Sequence, residues 1–542
     1  ARTEISITRG SSKNSYYENG YTNGDKRATL TRGISDGLRS VTTLNYNFNI
    51  GKNHTFSALL GNEILKSDSE SSQISGRGYP DTFDYDTTMG LIHTATTSLS
   101  ANNNFSVPGR TASFFGRLSY TLNDRYLFTG TFRADGSSKF APNNRWGYFP
   151  AGAFAWRLSE EPFMAVAKDW LSNLKVRLSY GTSGSDNINS NLWRETWSSL
   201  SSSSNHTPIN GELGSFYRPD GLLANSDLKW ETTTSWNVGF DFGFLKDRIT
   251  GSFDYYTRKT EDLIATVPAA AGTTFDRNIT TNVGNVDSQG IEFSLNATPI
   301  QTNDWNWDLS FNMTWQKMKV KNLSLAAGAA ATNTSVGPYI DSYQVQTLSE
   351  GYAPYMFYVY HQLYDEKTGK PVEGAYVDLN GDGEINTEDL YRYHSPAPDY
   401  ILGFSTSLRW KKWTLSTSLR ANIGNYVYNA MAMNTGAWET VSYNSYQLNN
   451  LSTSYLKTGF QSRQYLSDYY VENASFLKMD NLSLNYNLGE ICKGCSLNVS
   501  AMVQNVFCIT KYSGVDPEVP NGVDNSFYPR PRTFSLNVGF NF

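Results

Sequence analysis

Long hydrophobic runs are missing from this sequence. No stretch approaches the roughly 18 consecutive apolar residues that a membrane-crossing helix needs, and the densest run of small residues, LAAGAAA at 325–331, is too short and too rich in Ala and Gly. A helical span is thereby excluded. A spanning β-barrel is not, because only every second residue of its strands faces lipid. Charge is scarce too: Asp, Glu, Lys and Arg make up 18% of the 542 residues and the net charge is −5. That composition argues against a nucleic-acid binder, which needs Lys and Arg clustered along a phosphate backbone. Three cysteines are too few for a disulfide scaffold. The five histidines (His54, His93, His206, His361 and His394) are scattered, and no GxSxG, HExxH or paired-carboxylate motif stands out. The glycine of ADGSSKF (134–140) lacks phosphate-loop spacing. No signal peptide precedes ARTEISITRG, which already reads as a strand, so the chain is expected to be processed or a piece of something longer.

What the sequence has is aromatic residues and alternation. Aromatics reach 14%, with 35 Tyr, 29 Phe and 13 Trp. In WNWDLSFNMTWQ (305–316), Trp305, Trp307, Leu309, Phe311, Met313 and Trp315 share one face, while Asn306, Asp308, Ser310, Asn312, Thr314 and Gln316 share the other. Successive side chains of a strand point to opposite faces, so this is a strand with one greasy side and one wet side. The pattern recurs. NLKVRLSYG sets Leu174, Val176, Leu178 and Tyr180 against Lys175, Arg177 and Ser179, and TSWNVGFDFGF sets Trp236, Val238, Phe240 and Phe242 against Asn237, Gly239, Asp241 and Gly243. Leu402, Phe404 and Leu408, then Leu415 and Leu419, Leu482 to Leu488, and Leu497 to Val503 repeat it. About 15 to 18 such segments are expected, each near the length of a tilted outer-membrane strand. A polar face this uniform suits a wide barrel with a watery interior better than a sandwich core.

The connections alternate as well. YTLNDRYL (120–127), GFLKDRIT (243–250) and RWKKWT (409–414) read as tight hairpins, whereas 181–228, 322–352 and 423–465 are long and rich in Ser, Asn and Gly. Short turns on one side and long loops on the other is the asymmetry of outer-membrane barrels. Trp410 and Trp413, and Tyr120 and Tyr126, flank tight turns where rings with polar tips would mark a lipid–water boundary. The last segment, RTFSLNVGFNF, puts Phe534, Leu536, Val538, Phe540 and Phe542 on one face.

Several stretches go beyond pattern. FFGRLSYTLNDRYLFTGTFRADGSSKFAPNNRWGYFPAGAFAWRLSEEPFM (114–164), NSDLKWETTTSWNVGFDFGFLKDRI (225–249), NVGNVDSQGIEFSL (282–295), VENASFLKMDNLSLNYNL (471–488) and QNVFCITKYSGVDPEV (504–519) resemble, in order, the SusC/RagA family of TonB-dependent outer-membrane transporters. The resemblance implies an all-β, antiparallel transmembrane barrel of 22 strands with an N-terminal plug inside it. It implies a SusD-like surface lipoprotein as lid, energy from TonB–ExbB–ExbD through the plug, outer-membrane lipid around the wall, and an oligosaccharide or peptide as cargo. No plug, TonB box or early strands are found, so residues 1–542 are expected to be the C-terminal barrel portion, with the N-terminal plug and barrel portion as a further partner. Alone, such a portion would leave open edges in lipid, at several kcal/mol per unpaired group.

One local motif implies a metal. DLNGDGEINTED (378–389) places Asp378, Asn380 and Asp382 at loop positions 1, 3 and 5, Gly383 at 6, the carbonyl of Glu384 at 7, Asn386 at 9 and Asp389 at 12. These are the oxygen donors of a calcium loop, with Asp in place of the usual bidentate Glu at its end. The expected role of Ca²⁺ is structural, pinning an insertion between strands; the alternative is a Gly/Asp-rich turn without metal. CKGC (492–495) has CxxC spacing, but in a short turn a local disulfide or two idle thiols is expected rather than redox catalysis. Cys508 has no sequence partner.

Cargo contacts are expected from the long loops: Trp193, Arg194 and Trp197 in NLWRETW, Tyr217 and Arg218 in SFYRPDG, and Trp438 and Tyr443 in GAWETVSYNSY. Rings stack on sugar faces and Arg bonds hydroxyls or peptide groups; packing of the loops against one another or the lid is the alternative. The reading is therefore an outer-membrane importer of large nutrients, not an enzyme. A secreted or surface β-rich binding or adhesion protein would need repeats that are absent. A barrel enzyme would need a convergent His, Ser, Asp or carboxylate set.

Overall fold

The computed structural model describes residues 1–20, 26–200, 216–219, 222–269, 278–323, 334–442, 450–492, 494–525 and 528–541, with the side chains of 197–200, 216–219, 268 and 442 left aside. Alternation dictates its architecture: one sheet of 18 strands by hydrogen bonding. Ser98–Phe105 and Gly109–Leu122 are one strand interrupted around Pro108, since both pair with the same neighbour, and Leu222–Leu223 is a stub. A proline cannot donate to a ladder, which explains the break. Sixteen antiparallel strands remain, in sequence order, each paired to the next. Among the described residues, Arg2–Glu18 and Thr533–Asn541 pair on one side only.

The tight turns fall at one end. Asn123 and Asp124 take φ of 53° and 58°, Leu245 to Asp247 are likewise left-handed, and Lys411 has φ 52°. Such backbone lets a short connection follow the right-handed twist of its strands. The long connections gather at the other end, so the expected asymmetry holds. Strand length differs from expectation. Arg27–Ile50 and His54–Arg77 run 24 residues each, more than twice a bilayer's need. Only the lower part is greasy outward. Above Lys66, the sequence SDSESSQ (67–73) is polar on both faces, so the ladder continues into water, where pairing needs no lipid.

The faces are as the alternation requires. Outward-pointing Trp236 is 60% exposed and Leu484 43%, instead of meeting in a dry interior. Near the short turns, directly opposed residues form an aromatic row over five strands: Phe48–Phe56 at 4.8 Å, Phe56–Tyr120 at 4.6 Å, Tyr120–Phe128 at 6.0 Å and Phe128–Phe154 at 5.0 Å between ring centroids. Trp305 with Trp410, and Trp413 with Tyr486, continue this kind of pairing at neighbouring turns. Such rings sit well where hydrocarbon meets water.

A small buried cluster, Val267, Val283, Val286, Val320 and Leu323, lies on three neighbouring strands of the wall; the larger core lies elsewhere. Ile340, Val345, Phe357, Val359, Tyr428, Met433, Phe460, Tyr470 and Val523 form it, and they come from three connections: 324–399, 424–475 and 511–532. The first holds the sheet Thr334–Ile340, Tyr343–Leu348, Met356–Val359 and Tyr391–Tyr393. The second adds Tyr426–Tyr428 paired with Val471–Asn473. Of the long loop expected at 322–352, the described part 334–352 is thus the start of a folded head. Its apolar residues are too widely spaced in sequence to be seen as one core.

Candidate functional site

The inner wall is built from the polar half of each strand. Asp241 receives Lys175 at 2.6 Å and Arg177 at 2.8 Å, and Arg177 also holds Asp254 at 2.9 Å. Glu63 joins Arg39 at 2.7 Å to Arg133 at 3.3 Å, and Arg133 reaches Asp135 at 2.7 Å. Most of these pairs join different strands, so charges are paired chiefly around the wall, while Arg133 and Asp135 pair along one strand. Toward the short turns hydroxyls and amides join a few charges: a cleft of about 560 Å³ is lined by Arg248, Asp308, Ser310, Ser407, Ser418 and Asn481 among others. Hydroxyls and amides here can exchange hydrogen bonds with a hydrated solute.

At the mouth, the connection 511–532 is tied to the wall by ions. Nζ of Lys478, 10% exposed, lies 2.6 Å from Asp516 and 2.9 Å from Glu518; Arg420 meets Glu518 at 2.7 Å and Asp480, and Arg530 meets Glu518 at 2.9 Å. Burial pulls the Glu518 carboxyl up, but Arg420 and Lys478 outweigh it and hold the group at about 2.

The head presents aromatics. Tyr343 stacks on Tyr465 at 4.8 Å, Arg463 lies 5.2 Å over Tyr465, and Arg463 bonds Asp341 at 3.0 Å and Glu439 at 2.9 Å. Trp438 is 53% exposed and packs near Tyr455. Burial, then the Asp341 bond, pushes the Tyr465 hydroxyl up to about 12. Asp468 accepts from the Tyr391 hydroxyl at 2.6 Å and from the backbone of Gln362 at 3.0 Å, with His361 Nδ1 at 2.8 Å. Among the described residues no Ser or Cys hydroxyl or thiol bonds to His361, so the set lacks a nucleophile. These groups come from segments about a hundred residues apart, and no spacing in the sequence points to them.

The calcium-like positions converge in one loop. Asp378 accepts from Gly381 at 2.6 Å and Gly383 at 2.8 Å, Asn380 from Asp382 at 3.1 Å, Asp382 from Glu384 at 2.8 Å, and Asn386 from Glu388 at 2.8 Å. Gly381 and Gly383 have φ of 76° and 85°, where a side chain is strained. Asp389 is fully buried and accepts from the backbones of Leu379, Asn380 and Asn386. These bonds hold its carboxyl below the usual range despite burial. Among the described residues no three His, Cys, Asp or Glu side chains group as a metal site. Here three of the six nominated donors are amide or carbonyl oxygens, which calcium accepts as readily.

The nominated cargo residues do not meet in one place. Trp193 and Arg194 line a cleft with Ile64, Arg110 and Trp146 on the outer side of the rim. Trp197, Tyr217 and Arg218 belong to a ribbon in which Tyr217 lies opposite Ser199 and Arg218 opposite Ser198. Trp438 is in the head, and Tyr443 lies outside the described residues. Cys492 and Cys495 stand opposite each other across their turn as free thiols, and Cys508 is free and exposed.

Residues 3–506 match the family model described as TonB dependent receptor-like, beta-barrel. TonB-dependent receptor SusC of Bacteroides thetaiotaomicron is 41% identical over 444 residues, covering 79% of this chain and 43% of that protein. TonB-dependent receptor P3 of Formosa agariphila is 30% identical over 463 residues, covering 79% and 45%. The chain therefore spans less than half the length of these relatives. A solved structure of the RagAB peptide importer in the 'closed-closed' state superposes with a TM-score of 0.78 at 25% identity, covering all of this chain and 59% of that one.

Proposed function

From the premise that the chain belongs to the TonB-dependent receptor-like β-barrel family, we propose that it forms the greater part of the wall and the extracellular head of an energy-coupled importer. The barrel stands in the outer membrane, with its aromatic row at the short-turn boundary. The observation that carries the proposal is the division of labour in one sheet: apolar rings outward, paired charges and hydroxyls inward, and a folded head over the mouth. A watery passage of this breadth suits a large hydrated solute, an oligosaccharide or an oligopeptide. SusC-like sequence and RagAB-like fold support a SusD-like lipoprotein seated on the head. A plug belonging to the rest of the transporter would fill the lumen, and TonB–ExbB–ExbD would pull on it.

In this reading the chain's own residues conduct, and do no chemistry on the cargo. Trp438 and the Tyr343–Tyr465 pair offer ring faces for sugar or peptide at the mouth. The loop 378–389 would bind Ca²⁺ through Asp378, Asn380, Asp382, the Glu384 carbonyl, Asn386 and Asp389. Its support is the ligand spacing of the sequence and the turns that Asp378, Asn380 and Asp382 form with the loop backbone. The ion would stiffen the head against the mouth.

The test is uptake of labelled oligosaccharide and oligopeptide panels by cells carrying the full-length transporter, with and without TonB. Accumulation that needs both the transporter and TonB is expected. Accumulation indifferent to TonB, or binding without accumulation, would instead favour a passive pore or an adhesion protein.

A further inference from the structure

The outward wall carries a cleft that import does not use. Ile64, Ala112, Gly136 and Trp146 are directly opposed on four successive strands. The pleat turns this row toward lipid: Ile64 and Trp146 are exposed, Phe114 two residues along stacks on Trp146, and the alternate residue Ser113 instead bonds Arg133 of the lumen. Val107 and the segment 190–194 roof the row, leaving a cleft of about 580 Å³.

Its upper lining is cationic. Arg110, Arg145 and Arg194 all face it, and among the described residues none of the three has a carboxylate within 4.0 Å. Arg194 lies 4.2 Å over the Trp193 ring and Arg145 lies 5.8 Å from it, while Arg145 Nε donates to the Phe140 carbonyl at 3.3 Å. The Trp193 indole N–H is closed off from solvent and has no acceptor among the described residues. Three guanidiniums lining one cleft without a paired carboxylate make it electropositive, so an anion at this point is favoured.

The height of the cleft fixes what kind of anion. From Tyr126, beside the short turn and two residues from Phe128 of the boundary row, to Gly136 the strand advances ten residues. At about 3.4 Å per residue and a tilt of about 40°, that is roughly 25 Å across the membrane, the height of a barrel's apolar band. Trp146 therefore stands at the upper edge of the hydrocarbon, and the three arginines stand just above, among headgroups. We propose that the cleft holds the headgroup of a phosphate-bearing glycolipid of the leaflet on the long-loop side. The guanidiniums take phosphate oxygens in forked pairs, the Trp193 ring meets a sugar face, and the first methylenes of the acyl chains lie on Ile64, Ala112 and Phe114. A soluble anion would gain nothing from that apolar floor. A zwitterionic headgroup would leave the cations uncompensated. The proposal rests on the barrel standing in the outer membrane and not on the identity of the cargo. Uptake can thus fail while lipid binding holds, and the reverse.

The test is native mass spectrometry of the full-length transporter in detergent, after delipidation and re-addition of phosphorylated glycolipid, its dephosphorylated form, or inorganic phosphate. Wild type is expected to retain the phosphorylated lipid. The triple variant Arg110→Gln/Arg145→Gln/Arg194→Gln should lose at least about tenfold in occupancy, and Arg117→Gln on the inner wall should lose none. Heat-modifiable migration on gels reports whether the triple variant is folded; if it is not, the single variants Arg110→Gln and Arg194→Gln must each lower occupancy about threefold. Unchanged occupancy in the variants overturns the proposal. Equal retention of the dephosphorylated lipid, or displacement of the lipid by millimolar phosphate alone, overturns it as well.

Discussion

Glu518 and Lys478 stand 40 residues apart in sequence and 2.9 Å apart in space, one on a connection and the other on the wall. Because Arg420 and Lys478 hold the Glu518 carboxyl at about 2, below its ordinary 4.5, the folded form binds this proton less readily than the unfolded one. Its contribution is therefore complete above the ordinary value and is lost as pH falls from about 4.5 toward 2. Protection of 511–532 against hydrogen exchange in the full-length transporter, relative to the intrinsic rate at each pH, should be flat above pH 5 and fall below it. Glu518→Gln should exchange fast throughout, with little left to titrate.

Lys478 compensates two carboxylates, Asp516 and Glu518, in a site where its own side chain is 10% exposed. Lys478→Met should destabilise the mouth by about 3 kcal/mol, since it strands buried negative charge. The double change Lys478→Met/Asp516→Leu should recover part of that. Thermal unfolding of the folded barrel, read on heat-modifiable gels, would measure both. Equal stability of Lys478→Met and wild type would show that the ion cluster holds nothing in place.

Phe132 faces outward at mid-height and is 52% exposed, and Thr131 beside it lines the inner wall. Phe132→Arg should cost about 2–4 kcal/mol in the membrane, and Thr131→Asn less than about 1 kcal/mol. Folding yield into vesicles against urea would rank them. The reverse order would mean the faces are assigned the wrong way round.

The loop 378–389 is clasped by Asp389, whose buried carboxylate accepts three backbone N–H groups. Asp389→Ala should loosen it by about 2–3 kcal/mol with or without metal. Asp378→Asn should instead weaken terbium luminescence, a probe of calcium sites, while leaving the metal-free loop largely intact. Calcium at 100 times its dissociation constant should stabilise the head by about 2.7 kcal/mol. A chelator that changes neither exchange nor unfolding would leave the clasp as the loop's only fastening.

Much of the barrel was legible because a strand's period is short. Trp305, Phe311 and Trp315 declare their common face within one segment, and Lys411 announces its turn by standing between two tryptophans. Strand length was not legible. The ladder of His54–Arg77 outruns its greasy part, and nothing in a polar stretch says whether it stays paired. The head was missed for a related reason. Val345, Met433 and Val523 share a core but come from three connections, each of which alone reads as loop. Trp193 and Arg194 were singled out as aromatic and cationic, but only the pleat of the neighbouring strands sets them on the outer rim.

The alternation of the chain by itself determined that this protein is a β-wall with one face for hydrocarbon and one for water, and the glycines of DLNGDG determined where a loop would turn sharply. Those properties are local: they depend on the side-chain period of a strand and on the φ that a glycine permits. Which charges meet across the lumen, which connections condense into a head, and at what height three arginines stand were decided only by the tertiary structure. Register and tilt set those distances, and both belong to the sheet as a whole.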